Sequence, residues 1–328
     1  MKVVVLGCGG SAGVPNIGGA DGAGDWGACD PDEPRNRRTR PSIVVESADG
    51  RRVLVDTSPD MRAQLLAWRI PSVDAVLFTH AHADHIMGMD DCRRFCAVAG
   101  EKPMPIHACA ATMEQLRRIY YYAFHDGPHP RGYFIPRPHV FDGPFEIGDV
   151  RVTPFPLPHG KTPCHGFLFE QAGRKRLAYC SDCKEVPEAA LALIRGAEVF
   201  VVDALWKTTH WTHMSLDEAL TTARRVGAAH AALRRRDPPP RAQPAGCAAR
   251  GRRGGERRHL DQHLCRPGGG GDRLDAARSR DRHRQPYGRR RAPLFGVALP
   301  ARRRRPSLAR VVARAVARDG FAPAEDFA

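Results

Sequence analysis

The sequence has few lysines, and none of them lies in its last third. Six of the 51 basic residues are lysines, the last being Lys207, and all 25 basic residues between Arg234 and Ala328 are arginines. Nine acidic residues share that C-terminal stretch, whereas the first 233 residues carry 26 basic and 27 acidic side chains. The net charge of +15 therefore belongs to the C-terminal part. The remainder lacks the positive excess that is typical of a nucleic-acid-binding domain.

Long apolar runs are also absent. No stretch reaches the roughly 20 apolar residues that a membrane-spanning helix needs. The first predicted strand is not preceded by the positively charged segment and apolar segment of a secretory signal peptide. The ten cysteines are scattered, apart from the pairs Cys92/Cys96 and Cys180/Cys183, so they do not indicate a disulfide framework. We therefore expect a cytoplasmic protein with reduced thiols and no membrane partner.

One histidine-rich segment directly follows a predicted buried strand. Ala75 to Thr79 is a run of apolar or β-branched residues, and the next residues are His80-Ala-His82-Ala-Asp84-His85. On an extended backbone His80 and His82 point the same way, because side chains alternate with period two. A helix that begins near Asp84 would turn Asp84 and His85 toward a second position. Imidazole and carboxylate groups are ligands for zinc, manganese and iron, so this segment predicts ligands for two metal ions.

The segment Thr79 to His85 resembles the signature of the metallo-β-lactamase superfamily. Along nearly their whole length, residues 1–233 are similar to the branch of phosphodiesterases that act on phosphoribosyl 1,2-cyclic phosphate. The other segments that carry this resemblance are Leu6 to Pro15, Arg37 to Ser42, Pro158-His159, Ser181-Asp182 and His213. The resemblance implies an α/β fold, a four-layer αββα sandwich, with the chemistry of a dinuclear metal hydrolase.

The resemblance also implies a set of site residues, with two divalent ions, zinc or manganese, as cofactors. The first ion is expected on His80, His82 and His159. The second is expected on Asp84 and His85, with Asp182 bridging the two ions. Catalytic roles are expected for Asp84 and for His213, which would hydrogen-bond the substrate or protonate the leaving group.

Two details of the predicted site follow from neighbouring residues. Packing beside Trp211 is the alternative explanation of His213, and Asp203, at the end of a predicted buried strand, is expected to support the site.

In the early loop the related phosphodiesterase has clustered cysteines that bind a structural zinc, whereas this chain has only Cys29 there. A structural zinc and the exact substrate therefore do not follow from the resemblance.

The expected function is hydrolysis of a small cyclic phosphate ester by attack of a metal-activated hydroxide. The expected partner is thus a small-molecule phosphate ester, and the sequence leaves open whether the chain forms a homodimer. The alternatives are another hydrolase on this fold, either an RNA-processing nuclease or a thioester or lactone hydrolase. A further alternative is a catalytically impaired protein that contacts nucleic acid only through its basic tail.

The family pattern breaks near residue 234. After the predicted helix at Ser215, the resemblance implies a strand ending in Thr-His, the last ligand of the second metal. The segment 228–233 begins such a strand, but arginines and then Pro238 to Pro240 follow, and proline cannot donate to a sheet ladder. His230 precedes the expected ligand position, and His259 or His263 could substitute only by accident.

We therefore predict two parts of the chain. Residues 1–233 form the hydrolase domain, lacking its last strand and helix. Residues 234–328 form an Arg-, Pro- and Gly-rich disordered tail, because such a composition buries too little apolar surface to offset the entropy of ordering. A shifted reading frame would explain the abrupt loss of lysine and of hydrophobic periodicity, and we favour it over a basic tail selected to bind phosphate.

The reading-frame hypothesis makes a prediction about the gene. We expect another frame after codon 233 to encode a strand ending in histidine and a closing helix, and sequencing the gene tests this. If no other frame matches the family better, the hypothesis is wrong. The basic-tail explanation predicts instead an affinity for DNA or RNA that falls steeply with salt and survives deletion of residues 1–233.

Overall fold

The computed structural model describes residues 1–234, and two six-stranded sheets form the centre of this part of the chain. The strands of the first sheet are β1 Lys2–Gly7, β2 Ser42–Glu46, β3 Arg52–Val55, β4 Ala75–Leu77, β5 Met104–Ala108 and β6 Pro136–Val140. They lie side by side in sequence order. The pairs β1/β2 and β2/β3 are antiparallel, whereas β3 to β6 run parallel to one another.

The second sheet also keeps the order of the chain. Its strands are β7 Phe145–Ile147, β8 Val150–Leu157, β9 Cys164–Gln171, β10 Arg174–Cys180, β11 Val199–Asp203 and β12 His230–Arg234. Strands β7 to β10 are antiparallel to their neighbours, and β10, β11 and β12 are parallel. Strand β8 therefore runs in the same direction as β10, since each is antiparallel to β9.

Six α-helices of the described residues lie between these strands. They are α1 Met61–Ala67, α2 Ala83–Ile86, α3 Arg93–Val98, α4 Ala110–Ile119, α5 Glu188–Ile194 and α6 Leu216–Val226. Short 3-10 helices occur at Pro34–Asn36 and Met89–Cys92. None of the helices described here is long and apolar enough to cross a membrane.

The alternation of side chains along each strand gives each sheet two apolar faces. In β1, Val3 and Val5 point toward the second sheet, whereas Val4 and Leu6 point toward the helices of the first. The core between the sheets is formed by valines, leucines and phenylalanines from both, so the two sheets pack face to face.

Helices cover the two outer faces. Met61 of α1, Phe95 of α3 and Leu116 of α4 join the apolar cluster on the outside of the first sheet. Leu191 of α5 and Val226 of α6 do the same on the second sheet. The order of layers is helices, sheet, sheet, helices, which confirms the predicted four-layer αββα sandwich.

The prediction that the domain lacks its last strand needs correction. His230–Arg234 forms β12, which pairs with β11 from Val199 opposite His230 to Asp203 opposite Arg234. Ala232 is buried between the sheets, and Leu233 is buried under the helices, so the strand is held on both faces before the prolines begin. Arg234, the first residue of the predicted tail, belongs to this strand. The rest of that tail, with His259 and His263, and the place of the closing helix that the prediction says is missing lie outside the described residues.

Helix α6 begins with the capping box that the sequence predicts. The Ser215 side chain accepts a hydrogen bond from the Glu218 N–H at 3.3 Å, and the Glu218 side chain accepts one from the Ser215 N–H at 2.7 Å. At the other end, Gly227 adopts the left-handed conformation of a helix C-terminus, with φ 62°. The helix start fixes the position of the loop 208–214 that precedes it.

We expect Ser215→Ala to lower the free energy of unfolding by about 1 kcal/mol, because a helix N–H then loses its acceptor. Thr221→Ala, at an exposed position of the same helix, is the matched control and should not destabilise the protein, since alanine is the better helix former. Urea denaturation followed by circular dichroism measures both variants. Equal stability of Ser215→Ala and the wild type would contradict the assigned cap.

Candidate metal centre

The side chains predicted as ligands or catalytic groups lie together at one edge of the sandwich. They are His80, His82, Asp84, His85, His159, Asp182 and His213. They follow β4, β8 and β10 or precede α6, and β8 and β10 end at the same edge because they run in the same direction. Five of them are buried, His82 is exposed and His213 is partly exposed. The structure thus brings together every residue that the sequence pattern selects.

Three imidazole rings converge on one point. His80 Nε2 lies 3.0 Å from His82 Nδ1, and His159 Nε2 lies 3.3 Å from that same nitrogen. Two nitrogens bound to one tetrahedral zinc ion at their usual distances are separated by about 3.3 Å. The ligand atoms of the three histidines all lie within 4.8 Å of one another. This histidine trio therefore fits a divalent ion.

Hydrogen bonds behind the rings fix their orientation. His159 Nδ1 donates to the Thr212 carbonyl at 3.0 Å, which leaves its Nε2 lone pair for a metal. His80 Nδ1 donates to Thr79 Oγ1 at 2.9 Å, and that hydroxyl donates to Asp56 Oδ2 at 2.8 Å. Such outer partners hold a ligating ring in the tautomer and angle that the metal needs.

The surroundings also keep the three rings neutral. Burial lowers the pKa of His80, His82 and His159 below the ordinary value of imidazole. A neutral imidazole is the form that binds a metal.

The turn after His159 is made by Gly160 with φ +60°, where a Cβ atom would lie 2.8 Å from the Trp211 ring. Glycine is required there both by the backbone conformation and by this close approach.

Asp182 lies between the histidine trio and the other predicted ligands, because its carboxylate is within 4.8 Å of ligand nitrogens of His80 and His159. Its Oδ1 lies 3.4 Å from His85 Nε2, which in turn lies 3.5 Å from Asp84 Oδ2. These separations exceed normal hydrogen-bond lengths, and Asp84 Oδ2 and His85 Nε2 are buried without a hydrogen-bond partner. These two atoms are ligand atoms suited to a second ion, which would have to displace a proton from His85. Arg234 Nη1, however, contacts the same Asp182 Oδ1.

The charges around Asp182 decide its ionisation. Burial would raise the pKa of Asp182, but the positive charges of Arg234 and His85 outweigh burial and hold that pKa well below its usual range. Burial would also lower the pKa of His85, yet Asp182 and Asp56 raise it well above the ordinary imidazole value. Asp182 is therefore ionised near neutral pH, as a carboxylate ligand has to be.

Asp56 is a site residue that the sequence analysis missed. It directly follows β3, is fully buried and accepts hydrogen bonds from the Thr79 N–H at 2.8 Å and from His85 Nδ1 at 2.7 Å. Its backbone is left-handed, with φ 61°. The signal that could have found it is its position, because an aspartate immediately after a buried strand parallel to β4 ends at the same edge of the sheet.

His213 and Asp203 form a pair beside the histidine trio. His213 Nδ1 donates to Asp203 Oδ2 at 2.5 Å, and the His213 ring centroid lies 4.9 Å from that of His159. Asp203 also accepts hydrogen bonds from the backbone N–H groups of Cys183 at 3.1 Å and Leu205 at 3.0 Å. The buried carboxylate at the end of β11 thus holds the His213 ring from behind, and the supporting role expected for it stays a prediction.

Zinc binding at the histidine trio should stabilise the folded chain, by about 2.7 kcal/mol at a free concentration of 100 Kd. We expect His82→Ala to lose most of this gain and still to fold, because His82 is exposed. His125→Ala removes an exposed histidine outside the cluster and is the matched control. Urea denaturation with and without zinc measures the gain, and an undiminished gain in His82→Ala would contradict the assigned ligands.

Comparison with known proteins agrees with this architecture. The sequence profile of the beta-lactamase superfamily domain matches residues 51–233, which is more than half of the chain. The crystal structure of a new diphosphatase from the PhnP family is 33% identical in sequence, with a TM-score of 0.63, and the similarity covers 74% of this chain and 91% of that one.

Two curated proteins are similar as well. An octanoyltransferase of Porphyromonas gingivalis is 29% identical over 229 residues, which make up 69% of this chain and 44% of that protein. The chain therefore spans less than half of that relative. Coenzyme PQQ synthesis protein B of Xanthomonas oryzae pv. oryzae is 28% identical over 258 residues, covering 69% of this chain and 80% of that protein. With its four-layer sandwich, its cluster of histidine and aspartate side chains and the match over residues 51–233, the chain belongs to the beta-lactamase superfamily.

Proposed function

We propose that this protein is a metal-dependent hydrolase of phosphoric diesters, with a small cyclic phosphate ester as its substrate class. The observation that carries the proposal is the convergence of His80, His82 and His159, whose facing nitrogens lie 3.0 and 3.3 Å apart. The 33% identity to a PhnP-family diphosphatase supports a phosphorus–oxygen bond as the target. The first ion is assigned to these three histidines and Asp182.

A divalent ion at this position would serve as a Lewis acid that makes water nucleophilic near neutral pH and offsets charge on the phosphoryl oxygens. Zinc and manganese both suit a set of imidazole and carboxylate ligands. The role of the protein is to hold those ligands in fixed positions. Asp182 is ionised and buried at the end of β10, and the histidine rings are fixed by their outer hydrogen bonds. The second ion predicted on Asp84 and His85 would have to share Asp182 with Arg234.

We assign the leaving-group proton to His213. Its Nδ1 is engaged with Asp203, so Nε2 is the ring atom left to hydrogen-bond a phosphoryl oxygen or to protonate the leaving oxygen. Positioned general acids of this kind contribute roughly 10²- to 10⁴-fold to rate. Asp203 acts through His213 as a positioning residue, because it holds the ring from behind and is itself fixed by two backbone N–H groups.

Other substrates on the same fold are less well supported. An RNA-processing nuclease needs a positively charged surface for its substrate, whereas the first 233 residues carry 26 basic and 27 acidic side chains. A thioester or lactone hydrolase differs from a phosphodiesterase in the atom attacked, so parallel assays with both substrate classes separate them. A cytoplasmic location stays a prediction from the scattered cysteines.

We expect the zinc- or manganese-loaded protein to hydrolyse bis-p-nitrophenyl phosphate and cyclic phosphate esters of aliphatic diols. On the cyclic esters, His213→Ala should lower kcat by roughly 10²- to 10⁴-fold, because an alkoxide leaving group needs a proton, whereas p-nitrophenolate is a stable anion that leaves without one. Metal content should stay at the wild-type level. His230→Ala, which removes an exposed histidine, is the matched control and should keep full activity. Steady-state kinetics together with plasma emission spectrometry measure both quantities.

Two results would contradict this assignment. If His213→Ala keeps a kcat on the cyclic esters within twofold of the wild type, His213 is not the group that protonates the leaving oxygen. If the metal-loaded protein hydrolyses a thioester or a lactone but not the phosphodiester, the proposed substrate class is wrong.

A further inference from the structure

Arg234 is a buried cation at the centre of the site edge. It is the last residue of β12, it lies opposite Asp203 of β11, and its carbonyl accepts a hydrogen bond from the Ala204 N–H at 2.9 Å. Its side chain is 2% exposed. A fully buried arginine is rare unless its charge and its N–H groups are matched, so its partners indicate what it does.

The guanidinium is held by two loops as well as by its own strand. Nη1 donates to the Ser181 carbonyl at 2.7 Å and contacts Asp182 Oδ1. From the other side, Nε and Nη2 donate to the Gly9 carbonyl at 3.3 and 3.0 Å. A Cβ atom on Gly9 would lie 2.8 Å from the Arg38 carbonyl oxygen, so only glycine allows the loop to pack there. Together these contacts form a specific binding site for one guanidinium group.

The place that Arg234 takes is the one that a second metal ion would need. Such an ion would be bound by Asp84, His85 and Asp182, and His85 Nε2 faces Asp182 Oδ1 at 3.4 Å. Arg234 Nη1 contacts that same oxygen. A dication on this oxygen would lie against a buried cation, and in a poorly solvated site the two would repel strongly. The donor set of the second position therefore does not fit an ion while Arg234 is there.

We propose that the Arg234 guanidinium takes the place of the second metal ion, so that the chain binds one divalent ion, at the histidine trio. The inference rests on the proposed function for that first ion. Arg234 is a positioning residue: it neutralises Asp182 and fixes the direction of this carboxylate, which in a two-metal site would be the task of the second ion.

The same geometry predicts how a second site can be created. Asp84 Oδ2 and His85 Nε2 are buried without hydrogen-bond partners, so they are ready to accept an ion once the guanidinium is gone. Arg234→His removes the fixed cation and offers a ring nitrogen in its place. Arg234→Lys removes the fork of N–H groups and keeps a positive charge, which makes it the matched control.

The experiment counts metal ions in the full chain. Metal-free protein is titrated with Co²⁺, whose visible absorption reports each protein-bound ion, and plasma emission on zinc-loaded, desalted protein gives a second count. We expect one equivalent for the wild type, one for Arg234→Lys and two for Arg234→His. Asp84→Asn in the wild-type background should leave the count at one, because Asp84 holds no ion there, and this variant decides the matter if Arg234→His does not fold.

Each other outcome has a distinct meaning. Two equivalents in the wild type, falling to one in Asp84→Asn, would overturn the inference and leave the proposed function intact. One equivalent in folded Arg234→His would also overturn it, because Arg234 would then not be what excludes the second ion. No bound ion in the wild type would overturn the metal premise of the proposed function itself. One ion without phosphodiester turnover would contradict the proposed substrate class alone.

Discussion

The structure depends on how four buried carboxylates are neutralised at one edge of the sandwich. Asp56, Asp84, Asp182 and Asp203 are at most 9% exposed. A carboxylate taken out of water persists in its charged form only when hydrogen bonds or positive charges replace its hydration. For Asp56, Asp182 and Asp203, imidazole rings, backbone N–H groups and one guanidinium supply that replacement, whereas Asp84 Oδ2 has no hydrogen-bond partner. The same concentration of negative charge that the fold has to accommodate is what would attract a cation to this edge.

The strand order is what produces this concentration. Strands β3 and β4 are parallel in one sheet and β10, β11 and β12 in the other, so the chain leaves each sheet repeatedly at one edge. The side chains that follow these strands are therefore held by rigid elements rather than by long loops. Apolar residues decide where the strands lie, and the polar residues that immediately follow them decide the chemistry.

The sequence could predict the parts of the site that are local. His80 and His82 follow from a histidine-rich segment directly after an apolar strand, although that strand ends at Leu77 and the two histidines lie in the loop beyond it. His159 and Asp182 follow from the resemblance together with their places after apolar strands. Asp56 is not among the predicted residues, because its position after β3 indicates a site only once β3 is known to lie parallel to β4. Its hydrogen-bond partners lie 23 and 29 positions away in the sequence.

Arg234 is a clearer example of a site residue that the sequence alone does not reveal. It stands at the point where hydrophobic periodicity stops, so the sequence indicates the end of the domain there. In the structure it closes β12 and contacts Gly9, 225 residues earlier in the chain. A single arginine in an arginine-rich stretch carries no local signal of burial, and its role becomes apparent only from the packing of three distant segments.

The most direct test of the central claim is a crystal structure of the zinc-loaded full-length chain with anomalous data collected at the zinc absorption edge. We predict one strong anomalous peak among His80, His82 and His159, with the Arg234 guanidinium still against Asp182. A second peak of equal height between Asp84, His85 and Asp182, with Arg234 turned away, would contradict the account. Absence of any peak at the histidine trio would contradict it at its base.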